Sequence, residues 1–118
     1  MRIDSARAFF EALAARGRES GLADAVGTWQ FEIEGAGTWT VTADHGAVLV
    51  AEGAPANGRP RTKLHMTEDE LLRLVRGDDH ENIFMALLRG DLEIEGELAF
   101  AHTLHAILPV PEEWRAEP

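Results

Sequence analysis

The period of the hydrophobic pattern changes at Thr28, and this change constrains the fold more than any other feature of the chain. In "TWQFEIEG", Trp29, Phe31 and Ile33 alternate with Gln30, Glu32 and Glu34. A repeat of two puts one set of side chains on each face of a half-buried strand. "EGAG" turns the chain into "TWTVTAD", where Trp39 and Val41 alternate with threonines, and "DHG" turns it again into "AVLVAE". Connections this short join antiparallel neighbours, so the three strands form a meander. After a Gly- and Pro-bearing loop over 53–60, "RTKLHM" reads as a weaker fourth strand, and "DLEIEG" as a fifth with Leu92 and Ile94 on one face.

Helical periods surround these strands. Residues 5–16 carry Phe9, Phe10 and Leu13 on one side, with Asp4 or Ser5 placed to cap. "GRESGLADAVG" is a short turn of helix or a loop. Thr67 and Glu70 have the T-x-x-E capping-box spacing before "EDELLRLVRG", which Gly77 ends. Asp79 is placed to cap the next helix, which Gly90 ends, and "ELAFAHTLHAIL" forms a last helix stopped by Pro109 and Pro111. The order helix, three or four strands, two helices, strand, helix predicts an α+β domain. A largely antiparallel sheet is covered on one face by segregated helices.

The helix within "ENIFMALLRG" is apolar too far round. At about 100° per residue, Ile83, Phe84, Met85, Leu87 and Leu88 cover an arc of roughly 200°. A surface helix needs a stripe only somewhat over about 100° wide. One side meets the core, with Ile83 assigned there, and the other needs a second apolar environment. The last helix repeats the problem: Phe100, Ala101, Leu104, Ile107 and Leu108 form its arc, and His105 falls inside it.

The chain has 118 residues, enough for one domain with a core of its own. There are 21 acids against 11 bases, a formal charge of −10, and Lys63 is the one lysine. That balance argues against nucleic acid, which needs a basic stripe, and against anionic bilayers. No cysteine is present, so disulfides and thiolate metal sites are excluded. With no apolar leader in "MRIDSARAFF" and no apolar run approaching about 18 residues, the expectation is a cytoplasmic protein with no transmembrane segment.

Taken in order, "GTWQFEI", a Trp-bearing second strand, "LHMTEDELLRLVRG", an apolar helix closing on "GDLEIEG", and "ELAFAHTLHAIL" resemble the sterol carrier protein-2 (SCP-2) sterol-binding domain family from about residue 27 to residue 108. The resemblance implies a five-stranded, mostly antiparallel sheet with helices packed on one face, enclosing an apolar cavity. It implies a single SCP-2-like lipid-binding domain over 1–109 and a C-terminal tail over 110–118 that contains Trp114. It further implies non-catalytic carriage of a fatty acid, acyl-CoA or sterol-like lipid, with no cofactor.

Given that fold, the second apolar environment of the 81–90 helix is expected to be the cavity; the alternative is solid packing between two other helices. Trp39, Phe84, Met85, Leu88, Phe100 and Leu104 are its candidate lining. His105 is a candidate polar group at its mouth. Met85 suits such a wall, since a flexible thioether adapts to ligands of different shape. His102 and His105 have spacing for half a metal site, but no clear third ligand lies nearby and no metal is expected. Nucleophile-elbow, P-loop and dinucleotide-binding motifs are missing, so no catalytic residue is assigned. Glu93, Glu95 and Glu97 read as a solvated strand face. The alternative reading is an accessory protein-interaction or dimerisation domain that uses the apolar groove, with a homodimer or a larger enzyme as partner.

Overall fold

In a computed structural model, which describes residues 3–55 and 59–110, the first helix α1 spans Ala6–Arg16. The Ser5 hydroxyl caps it by accepting from the Ala8 N–H at 3.1 Å. Gly17, in the left-handed conformation that most residues avoid, ends it and donates to the Leu13 carbonyl. The strands are β1 (Val26–Glu34), β2 (Gly37–Asp44), β3 (Ala47–Glu52), β4 (Thr62–Thr67) and β5 (Leu92–Gly96). The helices α2 (Glu68–Arg76), α3 (Ile83–Arg89) and α4 (Leu98–His102) complete the fold, with short 3-10 turns at 20–22, 78–80 and 103–106.

The five strands form one sheet in the order β3-β2-β1-β4-β5. Three of its pairings are antiparallel, and the fourth, β1 with β4, is parallel. The meander of β1, β2 and β3 forms as its short turns require. Beyond it the chain must cross from the edge at β3 to the far side of β1. The register there sets Leu64 opposite Phe31 and Met66 opposite Ile33. That choice continues the inward apolar face, which a one-residue slip would turn to solvent.

All described helices serve this face. Phe10 of α1 stacks on Trp39 with centroids 4.7 Å apart and meets Phe31 edge-on at 5.2 Å. Trp29 stacks on Phe100 of α4 at 4.3 Å and donates its indole N–H to the Phe100 carbonyl at 3.0 Å. The outer face is charged across β1, β4 and β5, where Lys63 bridges Glu32 and Glu95, and His65 lies against Glu32 and Glu34. Glu93 and Glu95 lie on that face as expected of a solvated strand, while Glu97, past the strand end, pairs with Arg61.

Gly96 is a position where backbone geometry demands glycine. Its φ is +97°, and a Cβ there would lie 2.6 Å from the Arg61 carbonyl oxygen. Gly96→Ala is therefore expected to destabilise by about 1–3 kcal/mol, read by denaturant titration. A change below about 0.5 kcal/mol would mean that the β5–α4 junction yields freely.

Two expected helices differ. The helix before Gly90 begins at Ile83, with Asn82 as its cap, accepting from the Met85 N–H at 2.9 Å. Asp79 does not cap it; it sits in the preceding turn at φ 53°. The last helix is also not continuous over 97–108. It stays α only to His102 and then tightens to a 3-10 turn over Thr103–Ala106. The Thr103 hydroxyl donates to the Phe100 carbonyl at 2.6 Å, a local bond that competes with α-helical continuation. Because 3-10 geometry eclipses residues three apart, Leu104 and Ile107 both go inward and His105 does not.

Candidate functional site

The apolar excess of α3 is resolved by exposure rather than by burial on two sides. Ile83 and Ala86 are buried, whereas Phe84 is 56 % exposed, Met85 43 % and Leu88 66 %. Phe84 and Leu88 are four apart and Met85 and Leu88 three apart, so the three meet on one side of the helix. An exposed cluster of large apolar groups carries more information than scattered ones. Ile83 faces the core, as assigned from sequence.

The candidate lining falls into two groups. Phe84, Met85 and Leu88 lie together on the outer side of α3, and Trp39, Phe100 and Leu104 are buried in the core. Trp39 is covered by Phe10 and Phe100 by Trp29, and the Arg61 guanidinium lies 4.4 Å from the Phe100 ring centroid. His105 is exposed, its ring 4.4 Å from that of His102. Partial burial, and then the neighbouring His102, hold its pKa below the usual histidine value. Among the described residues no group of three or more His, Cys, Asp or Glu is placed to hold a metal ion. A groove of about 470 Å³, lined in part by Thr28, Thr40, Thr42 and Leu49, lies at the β2–β3 side and contains none of the candidate residues.

Sequence reasoning missed the polar cluster that anchors α3. Thr67 caps α2 by accepting from the Glu70 N–H at 3.1 Å, but the Glu70 carboxylate does not close the capping box. It turns inward, 4 % exposed, beside Glu81, which is 3 % exposed. Arg89 donates to both oxygens of Glu81, to Asp91 at 2.9 Å and to Glu70 at 3.5 Å. Arg73 approaches Glu70 at 3.6 Å. Burial foremost, then a hydrogen bond and repulsion from Glu81, raise the Glu70 pKa, while the hydrogen bond from Arg89 chiefly lowers that of Glu81. Both charged partners lie outside the T-x-x-E window, so sequence spacing gave no sign of this.

These elements make a small α+β domain whose α3 presents one side to the core and one to solvent. The sequence profile of the SCP-2 sterol transfer family matches residues 9–109, and the chain belongs to that family. No curated protein sequence matches significantly. Among solved structures, the sec-alkylsulfatase Pisa1 from Pseudomonas sp. superposes with a TM-score of 0.70 at 17 % identity, over 86 % of this chain but only 16 % of that enzyme. Palmitated SCP2L2 from Aedes aegypti gives 0.64 at 22 % identity, over 86 % and 91 % of the two chains. Apo Sterol Carrier Protein 2 from Yarrowia lipolytica gives 0.63 at 16 %, over 89 % and 94 %. Identities this low establish the shared fold. No helix among the described residues is long and apolar enough to cross a membrane.

Val110, counted with the tail from sequence, is 2 % exposed and donates its N–H to the Val75 carbonyl at 3.0 Å. Trp114 lies outside the described residues.

Proposed function

We propose that the chain binds an apolar ligand without catalysis, a fatty acyl chain, acyl-CoA or sterol-like lipid. Phe84, Met85 and Leu88 are its first contact surface, and the buried Phe100, Leu104 and Trp39 are assigned to its inner lining. Membership of a sterol transfer family supports lipid as the ligand class. The observation that carries the reading is the exposure of three large apolar side chains on a helix already anchored by Ile83 and Ala86. Full burial of such a side chain is worth about 1.5–3 kcal/mol, so an apolar chain laid against them has a driving force. His105 is assigned a polar contact at the edge of the bound molecule.

Native mass spectrometry of protein taken from cells should reveal a co-purifying lipid. In binding assays with a fluorescent fatty acid, Leu88→Asp is expected to weaken affinity roughly tenfold or more. Its stability should stay within about 0.5 kcal/mol of wild type, because the side chain is at the surface. Met85→Trp should likewise fold with a stability change below about 1 kcal/mol. Failure of the wild type to bind any apolar probe would end the lipid reading. A second reading, an accessory domain in a larger assembly, draws on the sulfatase, where this fold makes up a minor part of an enzyme. A mass that rises with concentration, without bound lipid, would favour it.

A further inference from the structure

We propose that Glu70, Glu81 and Arg89 form a proton-controlled clamp that holds α3 on the sheet and releases it as Glu70 ionises, opening the apolar layer beneath to ligand. The inference deepens the lipid reading and, for its second half, rests on it.

The geometry is that of a lid fastened at one point. α3 has only two turns and buries only Ile83 and Ala86. It packs on β5, so lifting it would uncover the inward residues Leu92 and Ile94. Its two connections carry positive φ. On one side lie Gly77, Asp79 and His80 with φ of 70°, 53° and 62°, and on the other Gly90 with φ of 82°. Positive φ at two successive non-glycine residues is uncommon and marks a segment held by its surroundings.

The carboxylate cluster begins one residue after this turn, at Glu81. Glu81 immediately precedes the cap of α3 and Arg89 is its last residue, so their double hydrogen bond folds back along the helix and ties its two ends together. α2 meets α3 through Glu70, which lies beside Glu81 with Arg89 at 3.5 Å. When Glu70 ionises, the added attraction of Arg89 and Arg73 is outweighed by burial of the charge and by repulsion from Glu81. From α2 itself Arg73 faces Glu70, and from the turn into β5 Asp91 shares Arg89. Glu68, in the same turn of α2, faces away and accepts from the Ala6 N–H at 2.8 Å. Three carboxylates, Glu70, Glu81 and Asp91, thus face two guanidiniums, Arg73 and Arg89. The Glu70 Oε2 is buried with no hydrogen-bond partner. A buried acceptor without a donor is costly, and a proton on that carboxyl balances the charge and supplies a donor toward Glu81.

The sign follows. Burial raises the Glu70 carboxyl to about 7, above its unfolded value. Its contribution is fully present below the unfolded pKa and is lost as pH rises through neutrality. Glu81 is shifted down, so its contribution is present above the unfolded carboxylate pKa and is lost only in strong acid. Between about pH 6 and about pH 8 the clamp therefore weakens with rising pH.

The test is hydrogen exchange on ligand-free protein, corrected for the intrinsic pH dependence of amide exchange. The Ala86, Gly90 and Asp91 amides, bonded within and just after α3, are the reporters. Their protection should fall by roughly tenfold from about pH 6 to about pH 8, while β1 and β2 amides hold theirs. Glu70→Gln should flatten this slope, and Glu93→Gln on the outer face should leave it intact. Should Glu70→Gln fold poorly, Asp91→Asn at the surface serves instead. Removing that charge frees Arg89 for Glu70 and should move the midpoint to lower pH. Flat protection in the wild type, or a wild-type slope in Glu70→Gln, overturns the clamp. A neutral apolar dye, Nile red, separates the two claims. A pH-dependent α3 with no dye binding supports the clamp and sinks the lipid reading. Dye binding over a pH-independent α3 does the reverse.

Discussion

Replacing Trp29 with alanine is expected to destabilise the protein by about 3–5 kcal/mol, the range for removing a fully buried aromatic side chain. Trp29 sits on the central strand with no exposed surface, stacked on Phe100. Its indole N–H is the donor to the Phe100 carbonyl, which the Thr103 hydroxyl also reaches. The substitution removes ring, stacking partner and donor together, at the point where α4 is fixed to the sheet. Space for repacking is limited, because Gly27 abuts the Phe100 ring so closely that a Cβ there would lie 2.8 Å from it. Urea denaturation of both proteins measures the effect. A loss below about 1 kcal/mol would show that α4 is not held through this pair.

Phe10→Ala is expected to cost a similar amount, about 3–5 kcal/mol. The Phe10 ring is buried among Phe9, Phe31 and Trp39, stacked on Trp39 at an interplanar angle of 14°. Aromatic pairs add about 0.5–1.5 kcal/mol beyond the area they bury. The informative comparison is Phe84→Ala, where the same residue type on the exposed side of α3 should change stability by no more than about 0.5 kcal/mol. Equal losses at the two sites would contradict the division of the apolar residues into core and surface groups.

Much of this division was not legible in the sequence. Periodicity placed the strands and assigned Trp29, Phe31 and Ile33 to one face, because a two-residue repeat leaves a strand no other choice. The ends of α1 and α2 followed from Ser5, Gly17, Thr67 and Gly77, whose capping chemistry is local. The candidate site is legible only as helical spacing. A helical wheel places Phe84, Met85 and Leu88 on one side of α3, but cannot say whether that side meets a cavity or water. The wheel also put His105 among apolar residues, and failed because the backbone tightens at Thr103.

The sequence by itself determined the class of fold, the strands and their inward faces, the two-faced character of α3 and the family resemblance. Each is written in local spacing. Only the tertiary structure decided that β4 lies parallel to β1, that Trp39 and Phe100 are covered by other rings, and that Glu70, Glu81 and Arg89 meet. These depend on contacts between residues far apart in the chain, where burial of a shared face or the pairing of a buried charge selects among arrangements that local periodicity leaves equal.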